Sequence, residues 1–319
     1  MKESFGSAAR FLPEGGLIGK RENEEYLSSA KMLERAMRES VILEATAVSC
    51  GSGLDLSVAL GGGIRGVIPR KEVSFEPDGS EPKDITVVTR VGRPVCFVVT
   101  DVVSSGGSVT AYLSRRRAQM KCRAGYISKL SPGDVIDGAV THLDPFGAFV
   151  DIGCGVVSLL SIDCISVSRI SHPSQRLKKG ERLKVIVKSV EPESGRIYVT
   201  LRELLGTWEE NAAGFRIGSA VAGIVRSVED YGIFIELSPN FAGLAERRDG
   251  IEAGDTCSVY IKNMIRERMK VKLSVIDSYT PPRDVAPVKY FVDTGKVRHI
   301  DRWRYSPLVC PKVIETVFE

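Results

Sequence analysis

Phe146 and Phe149 stand three residues apart in DPFGAFVDIG, and Tyr231 and Phe234 repeat that spacing in EDYGIFIELS, 85 residues further on. In a strand, side chains alternate between the two faces. If the aliphatic residues Val150 and Ile152 point into a core, Phe149 points out, with Asp151 on its parity. In the second run Ile235 and Leu237 go in and Phe234 comes out. Phe146 and Tyr231 fall on the opposite parity, but each is followed by a glycine (Gly147, Gly232). A glycine there allows a bulge or sharp bend that re-aims the ring, so all four aromatics are expected on outer faces. Cations accompany them. On one later strand Arg196, Tyr198 and Thr200 alternate with Ile197, Val199 and Leu201. Its counterpart sets Lys270, Lys272 and Ser274 against Val271, Leu273 and Val275. The strand before carries Lys184 and Lys188 on one face in the first case, and Ser258, Tyr260 and Lys262 in the second.

Flat rings beside cations on one exposed face suit a single-stranded nucleic acid: bases stack on the rings at about 1–3 kcal/mol each, and cations meet phosphates. The candidate binding residues are therefore Phe146, Phe149, Lys184, Lys188, Arg196, Tyr231, Phe234, Lys262 and Lys270. A single aromatic in a strand is ordinarily core, and a single lysine is as readily a solvated surface. Recurrence of the whole set at matching positions separates this case from those. The runs Lys178-Lys179, Arg247-Arg248 and Arg115-Arg116-Arg117 have no such pattern and are expected to be surface.

The elements that must hold these residues come in copies. GDVIDGAVTHLDPFGAFVDIG (133–153) aligns with GSAVAGIVRSVEDYGIFIELS (218–238) at an offset of 85, and 178–201 aligns with 252–275 at 74, so the later copy has a connection 11 residues shorter. A weaker copy upstream sets 54–69 against 146–161 at an offset of 92, followed by strands in 95–113 around the turn at 104–107. In the middle copy the strands are expected near 134–143, 147–153, 156–161, 182–190 and 196–202. Five short strands in so small a span suit a barrel that hides its edges by closing. The fold class is all-β: three tandem five-stranded antiparallel barrels with an N-terminal helix and a short C-terminal β tail. The expected segments are a leader and helix (1–40), a degenerate barrel (41–117), a middle barrel (131–203), a helical linker (204–215), a third barrel (216–277) and a tail packed on it (278–319). The helix at 22–38 rests on a stripe of Tyr26, Leu27, Ala30, Leu33 and Met37. Thr207 and Glu210 form a capping-box pair for the linker helix. The tail begins at the proline pair 281–282 and offers strand-like pieces at 288–292 and 297–305; His299 and Trp303 acquire no role.

Formal charge is only +4, too mild to identify a nucleic-acid partner by itself. The seven cysteines form no CxxC pair and there are three histidines, so no metal cluster is expected and the thiols read as reduced. No cofactor or small-molecule substrate is implied: phosphate-loop and nucleophile-elbow motifs are missing, and the Glu209-Glu210 pair has no histidine beside it. The first residues lack a basic start followed by an apolar core, and no apolar run reaches about 18 residues. The expected setting is the cytoplasm, away from membranes.

The middle copy, GDVIDGAVTHLDPFGAFVDIG with GERLKVIVKSVEPESGRIYVTL, resembles the S1 RNA-binding domain, an OB-fold barrel; GSAVAGIVRSVEDYGIFIELSPNFAGLAE resembles it too. Three such copies are similar to a short member of the ribosomal protein S1 family. The resemblance implies a non-enzymatic protein that holds single-stranded RNA or mRNA through two aromatics, a histidine after the third strand, and an acidic–basic pair near the last turn. The aromatics correspond to Phe146 and Phe149, then to Tyr231 and Phe234, and the basic member to Arg196 and Lys270. Glu191 stands at the acidic position of the middle copy and Ile265 at that of the third. Ser161 and Glu246 occupy the histidine positions, and Glu246 opposes phosphate. The first copy has Leu54, Ser57 and Pro69 at these places and so no platform. Its GVIP stretch (66–69) resembles leading domains of the family that dock on the ribosome, which suggests the small ribosomal subunit as a partner of 41–117. The mild charge and these departures leave a second reading open, a protein-interaction scaffold whose barrels no longer hold RNA.

Overall fold

The computed structural model of the protein describes residues 11–191, 195–279 and 287–319. The first ten residues of the leader and the proline pair at 281–282 lie outside these. Three closed barrels account for most strands. The first contains β1 (Leu43–Cys50), β2 (Leu56–Ala59), β3 (Arg65–Ile68), β4 (Pro94–Ser105) and β5 (Ser108–Ser114). The middle barrel contains β6 (Val135–Asp144), β7 (Gly147–Asp151), β8 (Val157–Ser161), β9 (Arg182–Val190) and β10 (Ile197–Thr200). The third contains β11 (Ala220–Glu229), β12 (Gly232–Ser238), β13 (Phe241–Ala245), β14 (Thr256–Ile265) and β15 (Lys270–Tyr279). Every barrel closes in the order first, second, third, fifth, fourth strand. The third and fifth strands run parallel each time. An odd number of alternating strands cannot close without one such pair, so the barrels are antiparallel but for that seam.

Register within the barrels repeats as well. In the fourth strand of each, one residue is left over between two ladder pairs: Thr100 in β4, Lys188 in β9 and Lys262 in β14. A bulge of this kind lets two consecutive residues oppose one and bends the strand more sharply. It serves a small barrel, which must curl within a few residues. The turn between β4 and β5 is Gly106-Gly107, both at positive φ (57° and 82°), the conformation a two-residue hairpin turn demands.

The chain forms two compact units. The first holds the described residues up to Leu130 together with 137–139 and 151–157; the second holds 131–136, 140–150 and the described residues from Ser158 on. In the first unit the single expected helix is two, α1 (Arg21–Leu27) and α2 (Ala30–Glu39). Ser29 is extended and its hydroxyl accepts from the Met32 amide, so a cap starts a new helix inside the stripe. Tyr26, Leu27, Leu33 and Ala36 are buried all the same, joining Leu43, Leu56, Phe97 and Leu113 of the first barrel. A short α3 (Asp84–Val88) bridges β3 and β4, and the expected surface run at 115–117 opens α4 (Arg115–Gly125). Arg115 is not surface. It is buried, with its Nε 2.6 Å from Glu14 Oε1 and its Nη1 donating to the Val73 carbonyl. Arg116 pairs with Glu72 at 2.8 Å.

Asp151 is a second correction. Its parity predicted solvent, yet it is buried and accepts from the amides of Glu14, Gly153 and Gly155. Burial and the Glu14 charge push its carboxyl up to about 7. The leader thus satisfies the Asp151 carboxylate through the Glu14 amide.

In the second unit the linker helix α5 (Trp208–Ala212) carries the expected capping box, Thr207 Oγ1 accepting from Glu210 N and Glu210 Oε2 from Thr207 N. Thr200, expected outside, is fully buried and bonded to Glu203 and the Cys164 carbonyl. Leu237, expected inside, is half-buried because β12 bulges there, and Glu236 lies buried in its stead. β15 runs two residues past the expected end of its barrel. The tail is less strand-like than expected: 288–292 forms none, while β16 (Arg302–Arg304) pairs with β17 (Glu315–Val317). Trp303 and Tyr305 join the third-barrel core with Val225, Ile233 and Phe241. The tail is not confined to the third barrel, however. Val135 N donates to the Arg298 carbonyl, Ile300 N to that of Gly133, and His299 Nδ1 lies 2.8 Å from Asp134 Oδ1 on the middle barrel. Its neighbours Asp134 and Asp301 raise the His299 pKa, the Asp134 hydrogen bond most.

Candidate nucleic-acid interface

The β6–β7 hairpin turns through Pro145-Phe146 and the β11–β12 hairpin through Asp230-Tyr231. Phe146 and Tyr231 are therefore turn residues, and strand parity does not govern them. Of the glycines that follow, Gly232 makes no bulge, since it pairs directly with Glu229. Both glycines permit close approach: a Cβ on Gly147 would lie 2.5 Å from the Leu160 carbonyl oxygen, and one on Gly232 2.5 Å from that of Ala245. Each hairpin thus presses against the next strand and lifts its tip aromatic into solvent. Phe146 is 53% exposed and Tyr231 70%. Phe146 meets Phe149 edge to face, centroids 5.9 Å apart at 90°; Tyr231 and Phe234 do the same at 6.0 Å and 87°. This is the geometry aromatic pairs prefer.

Ladder pairing shows what lies beside each strand aromatic. In the third barrel a single outward row crosses the strands as Ser227, Phe234, Leu244, Lys272 and Asn263. In the middle barrel Leu159 pairs with Tyr198 and Tyr198 with Ser189, and the His142 ring stacks on Phe149 at 6.2 Å and 27°. By correspondence with the third barrel, where Phe234 pairs with Leu244 and Leu244 with Lys272, the middle row reads His142, Phe149, Leu159, Tyr198, Ser189. The first barrel's row is Ser49, Ser57, Val67, Tyr112 and Asp101, with one exposed ring and a carboxylate. His142, Tyr198 and Lys272 are absent from the candidate set drawn from sequence. His142 belongs to a strand with no aromatic motif, and Tyr198 stands between an arginine and a threonine. Only the folded arrangement brings them near Phe149, His142 by ring contact and Tyr198 by its pairing with Leu159.

The cations divide. Lys188 occupies the β9 bulge beside Ser189, opposite Tyr198, with its Nζ 3.1 Å from Cys164 Sγ. Asp163 is close by; the Ser161 hydroxyl, with the Lys188 and Arg202 charges, holds its carboxyl below the usual range. Arg196 and Lys270 are exposed, two residues from Tyr198 and Lys272 on the same parity. Lys184 is not brought to the row: it sits five residues along β9 from Ser189, some 15 Å at strand rise, and its amide donates to the Tyr290 hydroxyl of the tail. In the third barrel Lys262 lies 3.2 Å from Glu246, and Arg247 2.8 Å from Asp230 beside the tip tyrosine. These carboxylates offset the positive charge there. The seven cysteines are free thiols. Among the described residues no cluster is arranged to hold a metal, and no helix is long and apolar enough to cross a membrane.

Closed barrels of this strand order, two of them bearing a half-buried aromatic on the second strand and an exposed one in the turn before it, define a tandem OB-type protein. The family model for the S1 RNA binding domain matches the middle barrel, over residues 129–202. Relatives extend the likeness beyond that barrel. Small ribosomal subunit protein bS1 of Leuconostoc lactis is 29% identical over 221 residues, 67% of this chain and 48% of that protein. The bS1 homolog of Bacillus cereus is 28% identical over 230 residues, 70% and 57%. The bS1 protein of Staphylococcus epidermidis is 29% identical over 276 residues, 81% and 67%. The chain spans about half the length of the first two. Family and relatives are of a non-enzymatic kind.

Proposed function

We propose that the protein binds single-stranded RNA, mRNA in particular, chiefly on its middle barrel and more weakly on its third. The observation that carries this reading is the edge-to-face aromatic pair, built twice at nearly the same distance and angle on exposed hairpin tips. Solvent-facing rings cost hydration unless a partner covers them, and nucleobases offer flat faces of matching size. The names of the family and relatives support the same reading. By them we also assign the protein to the cytoplasm and the first barrel to contact with the small ribosomal subunit. The ion pairs of Lys262 and Arg247 favour a weaker third barrel, and Asp101 and the serines of the first row favour a role for the first barrel other than RNA.

The test is fluorescence anisotropy with a labelled, unstructured RNA of about 20 nucleotides, long enough for more than one barrel. Wild type is compared with a folded variant carrying alanine at Phe146, Phe149, Tyr231 and Phe234. Binding by wild type with at least a tenfold loss in the variant is the expected result. No binding by wild type at low salt would leave the scaffold reading in its place.

A further inference from the structure

On the reading of the middle barrel as an RNA-binding surface, we propose that its RNA track crosses the strands along the row His142, Phe149, Leu159 and Tyr198 and ends at Lys188. This makes His142 and Tyr198 base-contacting residues and Lys188 the phosphate contact at the far end. Three observations carry it. The His142 ring already packs against Phe149, so a second ring adjoins the first in this row. Tyr198 lies in the same row, one strand beyond Leu159. Gly147 abuts Leu160 as Gly232 abuts Ala245, so the third barrel's register, Phe234 to Leu244 to Lys272, carries over and sets the half-buried Leu159 between Phe149 and Tyr198, roughly 10 Å apart at about 4.8 Å per strand. The bulge then sets Lys188 on the exposed face next to Ser189, across from Tyr198, where a chain leaving that ring would bring its phosphate.

The other two barrels carry only parts of this row. The third barrel keeps the tip and strand aromatics and the bulge lysine, but has Ser227 for His142 and Lys272 for Tyr198, and Glu246 pairs with its bulge lysine. The first barrel keeps only Tyr112 and has Thr100 at the bulge. The full sequence of ring, ring, apolar spacer, ring and cation occurs in the middle barrel alone among the three rows. That barrel is also the one the family model matches.

The experiment uses the whole chain and labelled oligouridylate of about 20 nucleotides, with Phe149→Ala as the reference variant. Tyr198→Ala and His142→Ala should each weaken binding about fivefold or more, and Tyr198→Phe, which keeps the ring, should stay within about twofold of wild type. Lys188→Ala should lower the slope of log affinity against log salt by about 0.7, while Lys184→Ala leaves the slope unchanged. Circular dichroism establishes that each variant is folded. Should Phe149→Ala lose binding while Tyr198→Ala and His142→Ala bind as wild type, the track does not cross the strands and only the proposed function survives. An unchanged slope in Lys188→Ala would overturn the far-end contact. A wild type that fails to bind at all would overturn both this inference and the function beneath it.

Discussion

Gly147 and Gly232 carry no functional group, yet they decide whether the tip aromatics face solvent. A methyl group on Gly147 would meet the Leu160 carbonyl at 2.5 Å and the Ser161 Cα at 3.0 Å, both backbone atoms that cannot step aside cheaply. Gly147→Ala should therefore destabilise the protein by about 1–3 kcal/mol, the range for overpacking, and Gly232→Ala by a similar amount. Denaturant unfolding with an unchanged m-value checks this; a midpoint within error of wild type would mean the hairpin does not press on β8. On the proposed function the aromatic pairs should differ by barrel: Phe149→Ala should cost more RNA affinity than Phe234→Ala in the same anisotropy titration, because Glu246 and Asp230 neutralise cations beside the third-barrel pair. Equal losses would mean that the local carboxylates do not matter. At this scale the aromatic pairs were legible because sequence repetition marks them. Phe146 and Tyr231 face solvent as expected, but for another reason than a glycine bulge: alternation applies within strands and these are turn residues. His142 and Tyr198 were not singled out: His142 lies across the β6–β7 hairpin from Phe149 but carries no repeated motif, and Tyr198 reaches the row only through its pairing with Leu159 of β8, a strand distant in sequence.

Elements followed the same division. Strands and their order of copies could be read from glycine-bounded aliphatic runs, and the capping box from Thr207 and Glu210 alone. Helix α4 could not: its buried residues include Arg115 and Gln119, with only the small Ala118 and Cys122 as an apolar pair, so it shows no stripe. Arg115 is inside because Glu14 meets it there, and burial, which alone would raise the Glu14 pKa, is outweighed by that guanidinium. The same unit buries Glu44, whose Oε2 accepts from Leu17 N at 2.8 Å; burial above all lifts its carboxyl to about 7. Asp151 is lifted equally. In the unfolded chain such groups titrate near 4. The folded state thus holds these protons more tightly: the stabilisation is fully present below about pH 4 and is lost as pH rises towards 7. The first unit should melt at a higher temperature at pH 5 than at pH 8. Glu44→Gln keeps an acceptor for Leu17 N and removes the titration, so it should raise the melting temperature at pH 8 and narrow the gap between the two. A wild-type melting temperature that climbs with pH over this range would contradict the assignment.

Across the second unit, the middle and third barrels are joined by polar groups that no periodicity reveals. Glu236 is buried between Arg226 of its own barrel, Nε to Oε2 2.8 Å, and Arg176 from the connection after β8, which it also bonds. Burial, partly offset by Glu236, lowers the Arg176 pKa. Asn240 adds three bonds of its own side chain: Nδ2 donates to the carbonyls of Arg202 and Gly206, and Oδ1 accepts from Val167 N. Its carbonyl accepts from the Tyr305 hydroxyl of the tail at 2.6 Å. In the sequence Glu236 looks like one more outward polar residue of an alternating strand, and its partner Arg176 is 60 positions away. The arrangement has a calculable weakness. Glu236→Gln leaves two guanidinium groups buried against a neutral amide, and breaking a buried ion pair from one side costs about 3–5 kcal/mol because the remaining charge is uncompensated. Equilibrium denaturation should show a loss of that size in this unit. Replacing all three residues together by apolar side chains of similar volume removes the orphaned charge as well, so the triple variant should recover most of the loss. A Glu236→Gln variant as stable as wild type would show that water reaches the two arginines and that the joint between the barrels rests on Asn240 and the tail instead.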